Sequence, residues 1–327
     1  MRVSFIAIVF ALLAVSWPFT PAVAVPTNGS RSTWVSGTGN DANTATFCQR
    51  TAPCASFASA LSVTLDGGVI SCADPVSSNP FVISTSVTID CTGTGAIVRA
   101  FAPDNGISIN TAGIFVALRG LTINSSDIVL GVAGISVSAG AIVQIEQCKF
   151  ADFNFNSAIA VNFIPSSGSG HLIINDSTIF HSGSNSVGGG IVIKPQGTAN
   201  SRVTINRVVV AGGLFGIAVD GSNSTGGVNM TIADSVLASN VNDGVVATTS
   251  VGGAPIGVTV INTKTVNNGF GVRSIGNNVT VRLERSTVVG NVTGLAALSG
   301  GALTTAGNNI VEANASNGSF SGTISFK

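Results

Sequence analysis

The sequence predicts an all-β chain wound as a right-handed parallel β-helix, a solenoid of roughly ten turns with a short N-terminal helical cap. Three observations predict this fold. Only 9% of the 327 residues are charged, against about 25% in ordinary globular domains. The chain has 40 glycines and no tyrosine, and its many β-branched residues favour strands over helices. Two short apolar patterns also recur in step along the middle of the chain.

The first pattern is a strand in which apolar residues enclose a polar step. Its copies begin roughly 22 to 31 residues apart, a spacing typical of solenoid repeats. The pattern predicts a buried strand in each turn. Its copies are Leu118–Ile123, Ile145–Phe150, Ile174–Ile179, Ile205–Val210, Ile232–Leu237, Ile261–Val266 and Leu283–Val288.

The second pattern lies between these copies and consists of a small residue followed by an apolar-x-apolar strand or a degraded form of it. The small residue is usually glycine, and we expect it at a tight corner with unusual backbone angles. The copies are Gly106–Ile109, Gly134–Val137, Ala158–Val161, Gly190–Ile193, Gly216–Val219, Gly244–Ala247, Gly271–Ser274 and Gly294–Ala297.

Stacking explains why both patterns repeat. One turn cannot bury its apolar face alone, whereas turns stacked about 4.8 Å apart pair their strands in parallel around a continuous interior column. Asparagines near the corners are expected to stack as amide ladders on successive turns. The candidates are Asn240, Asn242, Asn267, Asn268 and Asn291.

The N-terminus has the pattern of a secretory signal peptide. A cationic start at Met1-Arg2 precedes the apolar run Phe5–Val15, and Ala22–Ala24 is a small-x-small cleavage signal. About 11 apolar residues are too few for a membrane anchor. We therefore expect cleavage after Ala24, no transmembrane segment in the mature chain, and a secreted, periplasmic or cell-surface location.

The chain divides into four predicted segments. These are the signal peptide at 1-24, an N-terminal segment with a capping helix at 25-66, the β-helix at 67-312, and a C-terminal tail or cap at 313-327. The helix is expected between Pro53 and Leu65, with Phe57 and Ala60 on its apolar face and Asp66–Gly68 as its stop. Such a cap shields the open backbone edge of the first turn.

The five cysteines fit an oxidising compartment. Cys48 and Cys54 flank a short segment, and Cys72 and Cys91 end two successive β-like runs that stacking would bring together. We expect both pairs to form disulfides. Cys148 lies in an apolar stretch and is expected to be a buried thiol. A metal site is the alternative, but no histidine lies near either pair in the sequence.

The start of the mature chain carries a resemblance to a known family. The segments Thr33–Gly37, Gly39–Asp41 and Ala52–Cys54, followed by the predicted helix, resemble the start of secreted bacterial right-handed β-helix repeat proteins of the pectin-lyase-like superfamily. Later units such as Asn175–Ile179 and Asn267–Val272 resemble its turns. The resemblance covers almost all of the mature chain. It implies the β-helix fold and makes polysaccharide the expected partner, because the superfamily includes polysaccharide lyases, hydrolases, esterases and epimerases.

The catalytic motifs of these enzymes are incomplete in this chain. Hydrolysis needs two carboxylates beside the scissile bond, but Asn262–Lys264 only partly resembles one such motif and lacks its aspartate. Calcium-assisted lyases need an acidic cluster and an arginine or lysine base, and the sequence lacks their arginine pattern. Asp152–Asn156 resembles a pectin methylesterase element without its partner motifs. The sequence predicts no cofactor, with calcium expected only if the chain is an enzyme.

Stacking also places charged residues side by side. The first charged row is Gln147, Asp176, Arg207, Asp234, Thr263 and Arg285, and the second is Asn162, Lys194, Asp220 and Thr248. The sequence singles out no catalytic residue, but Asp176, Arg207, Asp234, Lys194 and Asp220 are candidates for acid–base work in a polar groove. The alternative is cross-strand salt bridging, worth roughly 0.2 to 1 kcal/mol per pair. We favour salt bridging, because neighbouring opposite charges need no catalytic reason.

Two classes of function remain. The favoured one is a non-catalytic exported protein that binds or displays, with glycans as its candidate ligands, because an aspartate cluster and an aromatic platform are missing. The alternative is a polysaccharide lyase or glycoside hydrolase with diverged motifs. The two differ in whether the charged rows converge in one groove or lie on separate faces. His171 and His181 are expected in exposed loops. The lack of a basic run argues against nucleic acid as a partner. The sequence gives no indication of the oligomeric state.

Overall fold

The computed structural model describes residues 28–125, 132–153, 157–183 and 188–324. Three parallel sheets run along this part of the chain, so the predicted parallel β-helix is confirmed. Sheet A has twelve strands, sheet B ten and sheet C nine. The predicted signal peptide at 1-24 lies outside the described residues. Within the described ranges, no helix is long and apolar enough to cross a membrane.

The strands of each sheet follow one another in chain order. Sheet A contains β1 (Ser30–Val35), β2 (Thr64–Cys72), β5 (Val87–Asp90), β8 (Phe115–Arg119), β11 (Ile142–Glu146), β14 (Ser169–Asn175), β17 (Asn200–Asn206), β20 (Val228–Ala233), β23 (Ile256–Ile261), β26 (Val279–Glu284), β29 (Ala302–Thr305) and β31 (Gly322–Thr323). Sheet B contains β3 (Ser77–Ser78), β6 (Ala96–Ala100), β9 (Leu121–Ser125), β12 (Lys149–Ala151), β15 (Thr178–Phe180), β18 (Val209–Ala211), β21 (Val236–Ala238), β24 (Lys264–Val266), β27 (Thr287–Val289) and β30 (Ile310–Glu312). Sheet C contains β4 (Phe81–Ile83), β7 (Ile107–Ile109), β10 (Ala133–Val137), β13 (Ile159–Phe163), β16 (Gly189–Ile193), β19 (Ile217–Asp220), β22 (Asp243–Thr248), β25 (Phe270–Ile275) and β28 (Thr293–Leu298).

Each turn passes through sheets A, B and C, and the first sequence pattern turns out to be two strands rather than one. In one turn β14 ends at Asn175 and β15 begins at Thr178. Between them Asp176 has a φ of 49°, in the left-handed region that bends the chain sharply. The polar step of the pattern is therefore a corner between sheets A and B.

Alternate residues of most strands point into the interior column. On sheet A, Ile174, Ile205 and Ile232 are direct partners on successive strands, and all three are fully buried. A slip of one residue would expose this set, so the apolar alternation fixes the register.

A column of buried hydroxyl groups supports the corner between sheets A and B. The backbone N–H of Val208 donates to the Ser235 hydroxyl at 3.1 Å, that of Ser235 to Thr263 at 3.4 Å, and that of Thr263 to Ser286 at 3.2 Å. Each hydroxyl thus satisfies a backbone group of the preceding turn, which a buried corner needs.

An asparagine ladder supports the corner between sheets B and C. The amide nitrogen of Asn240 donates to the oxygen of Asn268 at 2.9 Å, Asn268 to Asn291 at 3.0 Å, and Asn291 to Asn314 at 2.9 Å. Backbone N–H groups of these residues donate to the same oxygens. The predicted ladder is therefore present, and Asn314 extends it.

Two of the predicted ladder members lie elsewhere. Asn267 is exposed, with a φ of 57° at the corner itself. Asn242 lies two residues after the ladder member Asn240, directly before β22. Only the residue directly after the left-handed position, such as Asn268, points into the column. Sequence proximity to the corner did not separate these positions.

Glycine occupies the positions of the second pattern for a reason different from the predicted one. Gly134, Gly244 and Gly271 do not have positive φ values. A Cβ atom at Gly244 would lie 2.8 Å from the carbonyl oxygen of Gly271, and one at Gly271 would lie 2.6 Å from that of Gly294. The expectation of unusual backbone angles is wrong here: glycine allows neighbouring turns to approach closely.

The predicted capping helix is α1, Phe57–Val63, preceded by a 3₁₀ helix at Asp41–Thr46. The Ser56 hydroxyl caps α1 by accepting from the backbone N–H of Ser59 at 3.2 Å. Phe57 is fully buried, and its ring lies 5.2 Å from that of Phe81 in the first turn. The helix therefore covers the N-terminal end of the core.

The segment Asp66–Gly68 is part of a strand and not the predicted helix stop. Strand β2 begins at Thr64, directly after α1. The Thr64 hydroxyl bonds to the Thr33 hydroxyl of β1 at 2.8 Å, and β1 pairs in parallel with β2. The register of this pairing jumps from Ser30 with Thr64 to Ser32 with Val69, and Gly67 has a φ of 73°, so Asp66–Gly68 form a bulge within the strand.

Both predicted disulfides are present, Cys48–Cys54 and Cys72–Cys91. They indicate an oxidising, extracytoplasmic compartment. Cys148 is a free, buried thiol. Burial raises the pKa of Cys148 to about 12, so this thiol stays protonated and unreactive at neutral pH.

The interior column can be tested with a charge. Ile232→Glu places an unpaired carboxylate among fully buried side chains, and we expect it to cost several kcal/mol, on the order of 3 to 5, or to prevent folding. Thr231→Glu, on the outward face of the same strand, is the control and should change stability little. Thermal unfolding followed by circular dichroism distinguishes them, and equal melting temperatures would contradict the register.

The asparagine ladder can be tested in the same way. Asn268→Ala removes a buried amide that bonds to both neighbouring turns, and we expect a loss of about 2 to 4 kcal/mol. Asn242→Ala, outside the column, should cost less than about 1 kcal/mol. Urea titrations measure both values. A similar cost for the two variants would show that the amide column is not what stabilises this corner.

Candidate functional site

The first charged row lies at the exposed corner between sheets A and B. Arg207 forms two hydrogen bonds with Asp176, at 2.6 and 2.7 Å. These bonds hold the pKa of Asp176 below its usual value. Asp234 accepts a hydrogen bond from Asn262 at 2.6 Å. The structure thus brings Asp176 and Arg207 together, with Asp234 on the next turn.

The register of this row differs from the prediction at one turn. Thr263 was expected in the row, but Asn262 occupies the position, with a φ of 44°. The cause is that Ile261 pairs with Ala233, whereas Val260 pairs with Ile232. Thr263 therefore points inward and belongs to the hydroxyl column.

The second charged row lies at the carboxyl end of sheet C. Lys194 and Asp220 form an ion pair at 2.9 Å, as predicted, and Thr248 follows Asp220 on the next strand. Partial burial acts to raise the pKa of Asp220, but hydrogen bonds from Lys194 and Ser222 hold it below its usual value. Asn162 is not in this row, because it pairs with Val192.

The two rows therefore lie on separate parts of the solenoid. One follows the corner between sheets A and B. The other follows the carboxyl end of sheet C, where Lys194 comes directly after β16 and Asp220 is the last residue of β19. In both rows a cation neutralises a carboxylate directly. This arrangement suits salt bridging and leaves no free acid–base pair among these five candidates.

A buried ion pair on sheet C was missed at the sequence level. Asp243 on β22 is fully buried and forms an ion pair with Arg273 on the neighbouring strand β25. Arg273 lies three residues after Phe270, the residue directly opposite Asp243. The Arg273 guanidinium lies 4.3 Å from the ring centre of Phe270. Among the described residues, Asp243 Oδ1 and Arg273 Nε have no hydrogen-bond partner. Burial raises the pKa of Asp243 to about 6, although Arg273 acts to lower it.

A pocket opens at the carboxyl end of sheet C, where the chain leaves β22 and β25. We call it the sheet C pocket, with a volume of about 350 Å³. Five of its nine lining residues carry a hydroxyl or amide group. Thr249 in the lining is nearly buried, and its hydroxyl has no partner in the described part of the chain. The lining residues are Thr249, Ser250, Val251, Gly252, Ile275, Gly276, Asn277, Asn278 and Ser299.

A shallow groove of about 280 Å³ lies on the outer face of sheet A. We call it the sheet A groove. Its outward side chains come from four successive strands, β17, β20, β23 and β26, and sequence motifs did not reveal it. The outward residues are Arg202, Thr204, Asn229, Thr231, Gly257, Thr259 and Arg282.

The expectation that both histidines lie in exposed loops is wrong for His171. His171 lies within β14, half-buried, between Ile142 and Arg202 on the neighbouring strands. His181 is exposed at the end of sheet B with a φ of 54°. In the described ranges no cluster of three or more His, Cys, Asp or Glu side chains is placed to hold a metal ion.

These features define the class of protein: a disulfide-containing parallel β-helix with polar surfaces on sheets A and C. Neither a family model nor a curated protein matches the chain. Solved structures do. It is similar to pectate lyase Pel9A, with 16% identity, a TM-score of 0.45, and coverage of 85% of this chain and 68% of that one.

Two further structures are similar. The periplasmic alginate epimerase AlgG matches with 12% identity and a TM-score of 0.47, over 73% of this chain and 68% of that one. The catalytic domain of a GH87 α-1,3-glucanase, in complex with nigerose, matches with 10% identity and a TM-score of 0.36, over 75% and 61%. At such identities the likeness concerns the fold alone.

The buried carboxyl predicts a pH dependence of stability. The folded protein favours protonated Asp243, so its contribution is present below a pH of about 4 and is lost as the pH rises through about 6. In the wild type this loss lowers the free energy of unfolding by at most about 3 kcal/mol, and Asp243→Asn should abolish that decrease. Urea unfolding between pH 4 and about 7 measures it. Asp234→Asn at the exposed corner is the control, and a difference curve as steep for that variant would contradict the assignment.

Proposed function

We propose that the chain is an exported, non-catalytic β-helix protein that binds saccharide chains at the sheet C pocket. The observation that carries the proposal is the pocket itself. Its volume of about 350 Å³ falls in the usual range for small-ligand sites, roughly 300 to 1,000 Å³. Hydroxyl and amide groups, which both donate and accept hydrogen bonds, are the groups that sugar hydroxyls need.

The lining of the pocket supports an uncharged ligand. None of its residues is ionisable, and Ser250, Asn277 and Asn278 are exposed. The partnerless hydroxyl of Thr249 would gain a hydrogen bond from a bound sugar. A saccharide therefore matches the lining better than a charged or wholly apolar ligand.

The surrounding charges support binding rather than catalysis. Glycoside hydrolysis uses two carboxyl groups, one of them with a raised pKa. Asp220, the carboxylate nearest to the pocket along its row, is bonded to Lys194 and has a lowered pKa. Asp243 has the raised pKa but is fully buried against Arg273, so a substrate could reach it only after rearrangement.

Two independent features support export. The N-terminal segment at 1-24 has the pattern of a signal peptide, and the disulfides Cys48–Cys54 and Cys72–Cys91 need an oxidising compartment. The proposed location is the periplasm, the cell surface or the medium, where polysaccharides are accessible.

An enzyme that modifies polysaccharides is the second candidate, and Asp243 is the observation that favours it. A carboxyl group with a pKa of about 6 is suited to donating a proton near neutral pH. The distinguishing assay follows new reducing ends and unsaturated products from neutral and uronic-acid polysaccharides, with and without calcium. Products that disappear in Asp243→Asn would establish this alternative; no products across the panel would support binding alone.

The binding proposal predicts the effect of removing one pocket amide. Asn277→Leu keeps the volume of the side chain but removes its hydrogen bonds, and we expect affinity for the bound polysaccharide to fall about tenfold. Electrophoresis through gels containing dextran, xylan, galactomannan or β-glucan measures this affinity. Asn110→Leu, an exposed asparagine outside the pocket, is the matched control. The proposal fails if the wild-type protein is retarded by none of the polymers, or if both variants are retarded like the wild type.

A further inference from the structure

We propose that the outer face of sheet B is a dimer interface whose partner is a second copy of this chain. We call this surface the sheet B face. It consists of the outward side chains of five successive strands, β15, β18, β21, β24 and β27, with β12 and β30 at its two ends. The sheet C pocket and the sheet A groove lie on other sheets, so the interface is independent of the saccharide site proposed above.

The sheet B face is apolar although it points to solvent. Val210 and Leu237 are buried in the interior column, so the residues that alternate with them point outward. Phe180 is 42% exposed. A contiguous apolar patch of this kind marks an interaction surface. The outward apolar residues are Phe180, Val209, Ala211, Val236, Ala238, Val266 and Val289.

The register of sheet B arranges the outward residues in two straight rows. Pairing is continuous from β12 to β30, so the rows form an even surface that a second even surface can cover. The apolar row is Phe180, Ala211, Ala238, Val266 and Val289, and Glu312 on β30 ends it. The mixed row is Lys149, Thr178, Val209, Val236, Lys264 and Thr287.

A second copy fits this surface face to face when a half-turn about an axis along β21 relates the two. The half-turn reverses the order of the strands and lays each row over itself, so β18 lies over β24 of the second copy and β15 over its β27. Ala238 then meets the second copy's Ala238 on the axis, and the small Ala211 lies opposite the larger Val266. Such a self-complementary patch is what a two-fold interface requires.

The charges at the two ends complement each other under the same half-turn. Lys149 on β12 and Glu312 on β30 are both exposed. Within one copy six strand spacings separate them, or about 29 Å at about 4.8 Å each. In the dimer β12 lies over the second copy's β30, so Lys149 and Glu312 meet at both ends of the interface. Lys264 lies at the edge of the face, where its long side chain can reach water.

The size of the sheet B face determines how tight the dimer is. The face is about 29 Å long, and its two rows lie about 7 Å apart along the strands. A stable interface buries about 800 Å² on each partner, and a strip of this size is smaller. We therefore expect a reversible dimer with a dissociation constant on the order of 10 µM.

Sedimentation velocity of the mature protein, from about 1 to 100 µM, measures this equilibrium because the range includes the expected constant. Ala238→Glu places two carboxylates against each other on the axis, and we expect it to weaken the dimer at least about a hundredfold. Ala218→Glu makes the same change at a half-buried outward position on sheet C and should dimerise like the wild type. Melting temperatures followed by circular dichroism check that both variants fold.

Charge reversal tests the orientation of the two copies. Lys149→Glu and Glu312→Lys each replace attraction by repulsion at two symmetry-related places, and each should weaken the dimer about tenfold. The variant with both changes restores opposite charges and should dimerise like the wild type. Because about 29 Å separates the two residues in one copy, this rescue requires contact between copies.

Three outcomes would overturn the proposal: a wild type that sediments as a monomer throughout, an Ala218→Glu variant that dissociates as Ala238→Glu does, or a double charge variant as weak as the single ones. Flotation with phosphatidylglycerol vesicles tests a lipid surface as the other occupant of an apolar face with cations. A monomeric wild type that floats with the vesicles, together with an Ala238→Glu variant that does not, would assign the face to a membrane instead.

Discussion

The in-register stacking of one turn on the next is the constraint on which the rest of this molecule depends. A single turn has three short strands and cannot bury its apolar side chains alone. Once turns stack, Ile174, Ile205 and Ile232 become neighbours in the column. The same register fixes which side chains meet on the outside, so the ion pairs and grooves of the surface are consequences of how the core is aligned.

The corners maintain this register by supplying hydrogen-bond partners for the backbone groups that are buried there. A left-handed residue such as Asp176 or Asn267 turns the chain, and the next residue points inward to bond with the preceding turn. Hydroxyl groups do this between sheets A and B, and amides do it between sheets B and C. The exposed corner residue is then free to vary, which accounts for the salt bridge of Asp176 with Arg207 at a position whose structural task is only to bend.

Much of the fold could be predicted from the sequence because apolar alternation and period are local signals. The Lys194–Asp220 pair was also predictable, since each residue directly follows a copy of the second pattern, Gly190–Ile193 and Gly216–Val219. Other features depend on the pairing of particular turns. The shift of Ile261 onto Ala233 moved Thr263 inward, and no single strand records that shift. Asp243 is fully buried, and its partner Arg273 lies 30 positions further along the chain on the next strand, so neither residue alone indicates the ion pair.

The sheet A groove was not predictable for a related reason. Arg202 and Arg282 lie 80 positions apart by their numbers, in different rows of different strands, so no motif joins them. Their relation appears only when β17, β20, β23 and β26 are aligned. Surface sites on a solenoid are assembled across turns, and reading one turn at a time misses them.

The asparagine ladder gives the solenoid an electrical direction. Sheet dipoles largely cancel, but every amide in this column points the same way, with its oxygen towards the N-terminal turn and its nitrogen towards the C-terminal turn. Aligned hydrogen bonds polarise one another, so the dipoles of Asn240, Asn268 and Asn291 add head to tail. The column therefore has two chemically unlike ends: Asn240 at its N-terminal end accepts from the backbone N–H of Gly213, and Asn314 at its C-terminal end donates to Asn317. A turn inserted into the column would have to match that polarity.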